Sequence, residues 1–408
     1  MSSTALSREN KILLKLLSAA LFDTPYSFAD SELITALIKE SSQQAVLGLL
    51  YSGLKKSNAS QEVLNVLKNK INGIIIRSIE AEKNHCKIGE ILNDNKIPYV
   101  IFKGSVSAGY YKEPYLRMMG DVDFLVPQEY QLAAKKALLA NGFLSKGGHH
   151  PTQEAFIGEN MIAELHKEIN GIPVGEAGDK IRSYLSDIFE HSEIFSAIHG
   201  EFNCPSCLHH GLIILIHSAH HMTSSGLGLR HFCDWAVFVS SMSSEEFKSK
   251  FEKPLKDIGL WKFALLLTQT ARKFLHCPNC EWAEAEEDTI CNEIMDDILT
   301  LGNFGRKKPD SAEAGTLITN SSKGKVDDAS ILKNAVQTAN EIVRIRWPRA
   351  KKFKPLYVIG WLYFGVRYLI LMLLGKKKKL NIRNMIDTAK ERRSVYRQLE
   401  LYETRHKK

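Results

Sequence analysis

Cysteine is scarce in this chain, with seven in 408 residues, too few for a disulfide framework to organise a fold of this length. Four of them form two CxxC pairs, Cys204-Pro-Ser-Cys207 and Cys277-Pro-Asn-Cys280. Sixty-nine residues separate the pairs and each lies at the edge of a helical pattern, so one shared zinc site is not expected. The first 25 residues lack a small-residue cleavage pattern, and Arg8, Lys11 and Lys15 interrupt their apolar stretch. That excludes a secretory signal and predicts a cytoplasmic chain. No internal repeat is present, and no HExxH. His217, His220 and His221 fall at helical spacing without the acidic residue a metalloprotease needs, and are expected to be helix-face residues near a cleft. His149 and His150 follow two glycines in a loop pattern and are not expected to be catalytic. Aromatic residues are sparse among the final lysines, which gives no strong signal for base stacking on nucleic acid.

What the chain does have is apolar content and a divided charge. At 44% hydrophobic composition it can bury one large core or several smaller ones. The net charge of +8 conceals a split: residues 341–408 carry 19 Lys and Arg against 5 Asp and Glu, so the first 340 residues are net negative. A basic tail of this kind suits an anionic lipid surface, nucleic acid or an acidic partner.

Helical periodicity covers residues 8–91, with Leu13, Leu16, Leu17, Ala20 and Leu21 repeating at helical spacing, as do Val63, Leu64, Leu67 and Ile71. Ser52-Gly53 and residues 57–60 read as punctuation. The period then changes. Tyr99-Val100-Ile101-Phe102 reads as a buried strand ending in Lys103-Gly104-Ser105, with a helix over 106–111. A second strand spans 121–126, a helix 131–141, and a third strand 161–169. Helical patterning returns from 208 to 274, and 305–330 is polar and rich in small residues. The organisation this predicts is α+β: a helical region at 1–95, a small mixed-sheet catalytic domain at 96–200, a helical domain at 205–303, a linker at 304–330, and basic helices at 331–408. Within the last of these, residues 356–375 form a 20-residue apolar run with one charge, Arg367. At about 1.5 Å per residue the run matches a bilayer core of about 30 Å, but a central arginine costs about 2.5 to 3.5 kcal/mol on insertion. Three placements stay open for it: buried in the protein, lying on the inner face of the membrane, or spanning it.

Alternate residues of a strand share a face, so Asp121 and Asp123 present two carboxylates together while Val122 and Phe124 turn to the core. Hard oxygen ligands placed this way suit Mg²⁺ or Mn²⁺, and two such ions about 3.5 to 4 Å apart activate an attacking oxygen and stabilise a leaving pyrophosphate. Backbone amides of the Lys103-Gly104-Ser105 turn suit phosphates, with Lys103 adding a charge. Gly120 leaves room for a triphosphate near the strand, and Arg117 is a candidate phosphate clamp. Glu164 and His166 share a strand face, so a third carboxylate is available to join the first two.

The segments IFKGS, LRMMGDVDFLV and AELHKEI resemble the bacterial nucleotidyltransferase family of the DNA polymerase beta superfold, and within it a largely uncharacterised subgroup. The resemblance covers residues 97–170 directly. It extends more loosely to His217, His221, Arg230 and Asp234 and to residues 302–305. The stretch from Ser105 to Asp121 is longer than the usual spacing. The resemblance implies that Asp121 and Asp123 bridge two metal ions, and that Glu164 binds the ion near the acceptor or takes the acceptor's proton. It further implies that Lys103, Gly104, Ser105, Arg117 and Gly120 contact a nucleoside triphosphate such as ATP, with His166, His221, Arg230 and Asp234 behind them. The acceptor, whether small molecule, sugar or protein, is not specified. Two alternatives are a catalytically silent nucleotide-binding module on the same fold and a membrane-surface adaptor acting through the basic tail.

Overall fold

Apolar residues at helical spacing produce four N-terminal helices, α1 (Arg8–Phe22), α2 (Ile34–Gln43), α3 (Leu47–Lys56) and the 34-residue α4 (Gln61–Asp94). Ser60 caps α4 through its hydroxyl, which accepts the Val63 amide. Ser52-Gly53, read as a break, instead lies inside α3. The glycine there is a packing device: a Cβ at Gly53 would come within 2.1 Å of the Leu16 carbonyl oxygen on α1. The computed structural model describes residues 6–147, 152–173, 175–284, 288–307, 319–320, 325–326, 355–374 and 395–404, with isolated positions between 336 and 350.

Five strands make one mixed sheet: β1 (Val100–Phe102), β2 (Val122–Leu125), β3 (Leu144–Ser145), β4 (Gln153–Ile157) and β5 (Ile162–His166), in the order β1-β2-β5-β4-β3. Only β2 and β5 pair in parallel. The sequence reading anticipates β1, β2 and β5. It misses β3 and β4, in which Phe156 is the one fully buried large side chain, so the apolar signal of a strand is weak. Between β1 and β2 the short α5 (Gly104–Ala108) starts two residues earlier than expected, and α6 (Gln131–Ala140) follows β2 as predicted.

After α7 (Glu176–Tyr184), a hairpin of β6 (Glu193–Ala197) and β7 (Gly200–Cys204) precedes the helices α8 (Cys207–Thr223), α9 (Leu229–Ser240), α10 (Ser244–Asp257), α11 (Trp261–Leu275) and α12 (Asp288–Leu301). The chain is thus α+β, a small mixed sheet with helices before it and an α-helical region after it. One core joins Leu13, Leu17 and Leu50 of the N-terminal helices to Trp235, Phe247 and Leu267 of the later ones. A second lies against the sheet, from Ile88 and Leu92 on α4 to Val122, Phe124 and Leu165. The Ser18 hydroxyl on α1 donates to the Leu275 carbonyl at the end of α11, 2.5 Å away.

All seven cysteines are free thiols. Cys204 ends β7 and Cys207 begins α8, while Cys277 and Cys280 follow α11 with their sulfurs 3.6 Å apart.

Near the C-terminus α13 (Pro355–Leu373) exposes Val358, Leu362, Val366 and Ile370. It is therefore not the buried helix that one sequence alternative allowed. Among the described residues no helix is long and apolar enough to cross a membrane. Most of the expected linker, His149 and His150, and the lysines at 351, 352, 354 and 376–379 lie outside the described residues.

Candidate functional site

Strand β1 ends at Phe102 and the chain turns sharply. Lys103 has φ 63° and ψ −139°, and Gly104 φ 39°, so two successive residues occupy backbone regions that L side chains disfavour. The glycine is required by space as well: a Cβ at Gly104 would lie 2.2 Å from Nε2 of His85, which is fully buried on α4. This strained turn aims the lysine at the sheet. Lys103 Nζ stands 3.5 Å from Asp123 Oδ1.

The parallel register of β2 and β5 places Glu164 directly beside Asp123, so the two carboxylates share a face, and His166 follows on the same face. Val122, Phe124 and Leu165 fill the opposite, buried face. His166 Nε2 is 2.7 Å from Asp123 Oδ1 and 3.8 Å from Glu164 Oε2. One potential ligand atom of each of Asp123, Glu164 and His166 lies within 4.8 Å of the other two. Asp121 is exposed just ahead of β2 and borders the same cleft of about 410 Å³, as do Lys103, Gly104 and Gly120. No atom comes within 4 Å of where a Gly120 Cβ would sit, so the space beside it is open.

The electrostatics separate the two part-buried carboxylates. Burial works to raise the Asp123 carboxyl, but the Lys103 charge and the His166 hydrogen bond outweigh it and hold the group well below the usual carboxylate range. Glu164 moves the other way: burial raises it, and the charges of Asp123 and Asp121 raise it further. Gln153 on β4 donates to Glu164 Oε2 at 2.5 Å, and Asn170 in turn donates to Gln153. Gln153 and Asn170 were not singled out in the sequence. Gln153 lies on β4, a strand without an apolar signature.

Arg117 and Asp234 are both buried and form a two-pronged ion pair, Nε to Oδ1 and Nη2 to Oδ2, each 2.7 Å. Tyr111 donates to Asp234 Oδ1 at 2.6 Å, and Arg117 Nη1 donates to the Gly104 carbonyl at 3.3 Å. Burial pushes the Asp234 carboxyl up, but the Arg117 charge and the hydrogen bonds from Arg117 and Tyr111 hold it below its ordinary value. All three guanidinium nitrogens of Arg117 therefore serve the protein. The arginine expected to clamp phosphate lines the cleft and ties α9 to the turn at Gly104.

The helical wall of the cleft comes from α8, α9 and residues 302–305. His217 and His221 stand one turn apart on α8, with their Nε2 atoms 2.9 Å from each other, and His231 on α9 joins them. Burial lowers all three imidazoles well below the ordinary histidine value. Phe304, at φ 56°, lays its ring against His221 and His231 at centroid distances of 4.8 and 5.2 Å. Arg230 sits 5.3 Å over the same ring, and burial lowers its guanidinium to about 10. His220 is exposed. His231 had no signal in the sequence, because its relation to His217 and His221 exists only once two helices pack.

A family described as an uncharacterised nucleotidyltransferase matches residues 30–276, more than half of the chain. No curated protein and no solved structure matches it.

Proposed function

The chain belongs to the uncharacterised nucleotidyltransferase family, and on that premise we propose that it transfers a nucleoside monophosphate from a nucleoside triphosphate to an acceptor, releasing pyrophosphate. The observation that carries this reading is the convergence of Asp123, Glu164 and His166 within 4.8 Å, beside Lys103 and Asp121, in one cleft. Two carboxylates and one imidazole, with a further carboxylate at the cleft edge, form a donor set suited to Mg²⁺ or Mn²⁺. Such ions, when bound, activate the attacking oxygen and neutralise charge on the leaving pyrophosphate.

The chain's own groups supply the rest. Lys103 offers a positive charge to the triphosphate, and the open space at Gly120 admits it close to β2. Glu164, held by Gln153, stands ready to take the acceptor's proton on a carboxylate oxygen. Arg117 acts indirectly by fixing the Gly104 carbonyl. Replacing Lys103 with Ala is expected to weaken triphosphate binding by about 1.5 to 3 kcal/mol, roughly ten- to a hundredfold, with a smaller effect on turnover once the donor is saturating. Titration calorimetry with each triphosphate checks the first half and saturation kinetics the second.

The reading is tested by Mg²⁺-dependent consumption of the four common ribonucleoside triphosphates with cell extract as the source of acceptor. Nucleotide binding without consumption would favour the silent-module alternative, and no binding of nucleotide or divalent ion at all would defeat both.

The exposed apolar side chains of α13, among them Trp361 and Leu362, support a second element of the proposal, that the basic C-terminal region rests on an anionic membrane surface. Flotation with vesicles containing phosphatidylserine at low salt is expected to carry the full-length protein upward, and to lose it as salt is raised. A protein that stays in solution at low salt would leave α13 as a surface for something other than lipid.

A further inference from the structure

The helical wall of the cleft holds a second cluster that the transfer chemistry does not use. His217 and His221 are four residues apart on α8, and His231 brings a third imidazole from α9, with ring centroids 5.3 Å from His217 and 4.9 Å from His221. One nitrogen of each ring lies within 4.8 Å of the other two. Nδ1 of His217 and Nδ1 of His231 are buried with no hydrogen-bond partner, and Nε2 of His217 and His221 face each other at 2.9 Å.

Unpartnered buried nitrogens cost free energy, and three imidazoles crowded together with no carboxylate among them are a poor way to pack two helices. We propose that His217, His221 and His231 bind a divalent transition ion of the zinc class, distinct from the ions of the carboxylate cluster.

The ligand chemistry separates the two sites. Three imidazoles suit Zn²⁺ or Co²⁺ and are poor ligands for Mg²⁺, whereas the carboxylate cluster contains one imidazole only. Metal-binding imidazoles are usually oriented through their other ring nitrogen, and Nδ1 of His221 lies 3.0 Å from the Ser225 hydroxyl. All three histidines line the cleft, so an ion held by them would have its remaining position open to a ligand from the cleft. Arg230, whose Nη2 is 3.5 Å from His231 Nε2, selects an anionic oxygen to fill it, since two neighbouring positive charges need a negative one between them.

The test is a Co²⁺ titration of the full-length, metal-stripped protein in excess Mg²⁺, which occupies the carboxylate cluster. One equivalent of Co²⁺ is expected to give the visible absorption of a nitrogen-rich, low-coordinate site, displaced by Zn²⁺. The signal should persist in Glu164→Gln, and Co²⁺ affinity should fall at least tenfold in His217→Gln and in His231→Gln, with folding checked by circular dichroism. X-ray absorption of the wild-type complex with one equivalent of Zn²⁺ gives an answer that needs no variant: three imidazole ligands are expected. No cobalt signal, a signal lost in Glu164→Gln but kept in both histidine variants, or a zinc shell with a single imidazole would each overturn the proposal. None of these outcomes depends on nucleotide transfer.

Discussion

Asp123→Asn is expected to lower nucleotide transfer by about a thousandfold or more, corresponding to about 4 kcal/mol of lost transition-state stabilisation. Asp123 is the hub of the carboxylate cluster. It touches Lys103 and His166 and lies in register with Glu164, so its charge organises every other group there. Asp121→Asn should be comparably severe, although Asp121 is exposed, because its proposed work is on bound ions and not on packing. Glu164→Gln should also be severe, with Lys103→Ala the mildest of the four. All four should keep their far-ultraviolet circular dichroism close to wild type, since none of these side chains lies in either apolar core, while Asp123→Asn should melt somewhat lower because it gives up the charge that faces Lys103 and His166. The order is the discriminating result. Transfer that survives in Asp121→Asn would defeat a site built on two metal ions, and transfer that survives in Asp123→Asn would displace the chemistry from this cleft.

The largest expected effect on stability comes from Arg117 and Asp234. Both are buried, and removing one partner leaves the other as an uncompensated charge in a poorly solvated place. Arg117→Met or Asp234→Asn is expected to cost about 3 to 5 kcal/mol of unfolding free energy, whereas the double substitution to apolar residues should cost less than the sum of the single ones. Chemical denaturation of the three variants measures this, and a loss below about 1 kcal/mol in both single variants would rule out the pair as a structural clamp. The sign of the pH dependence follows from the carboxyl. Asp234 is held below its ordinary value in the folded protein, so its contribution is fully present above the unfolded value of about 3.9 and is lost as pH falls through the folded one. In Arg117→Met the same buried carboxyl loses the charge that holds it down and burial raises it, so the gap between wild type and the variant should begin to narrow as pH falls through that raised value and go on narrowing until the wild-type carboxyl is itself protonated.

Arg117 also shows what the sequence leaves out. An arginine three residues before a glycine and a carboxylate strand has the composition of a phosphate clamp, yet its partner is Asp234, 117 positions away. Likewise Gly104 reads as a turn residue, and it is one, but the tight constraint on it is His85 on α4. Ser52-Gly53 reads as a helix break because glycine weakens isolated helices. Close contact with α1 overrides that preference, and α3 runs straight through.

By itself the sequence determined which residues share a face within one element: Asp121 with Asp123, Glu164 with His166, and the apolar residues behind them. Side-chain direction along a strand repeats every two residues whatever surrounds it, so that information is local. Joined to the resemblance carried by IFKGS, LRMMGDVDFLV and AELHKEI, it was enough to expect an α+β nucleotidyltransferase of this family. Only the tertiary structure decided that β5 lies parallel to β2 with Glu164 level with Asp123, that Gln153 holds Glu164, that Asp234 takes Arg117, and that His231 meets His217 and His221. Those pairings are set by which apolar faces bury one another, and burial is non-directional and blind to distance along the chain, so it leaves no local signature from which partners can be read.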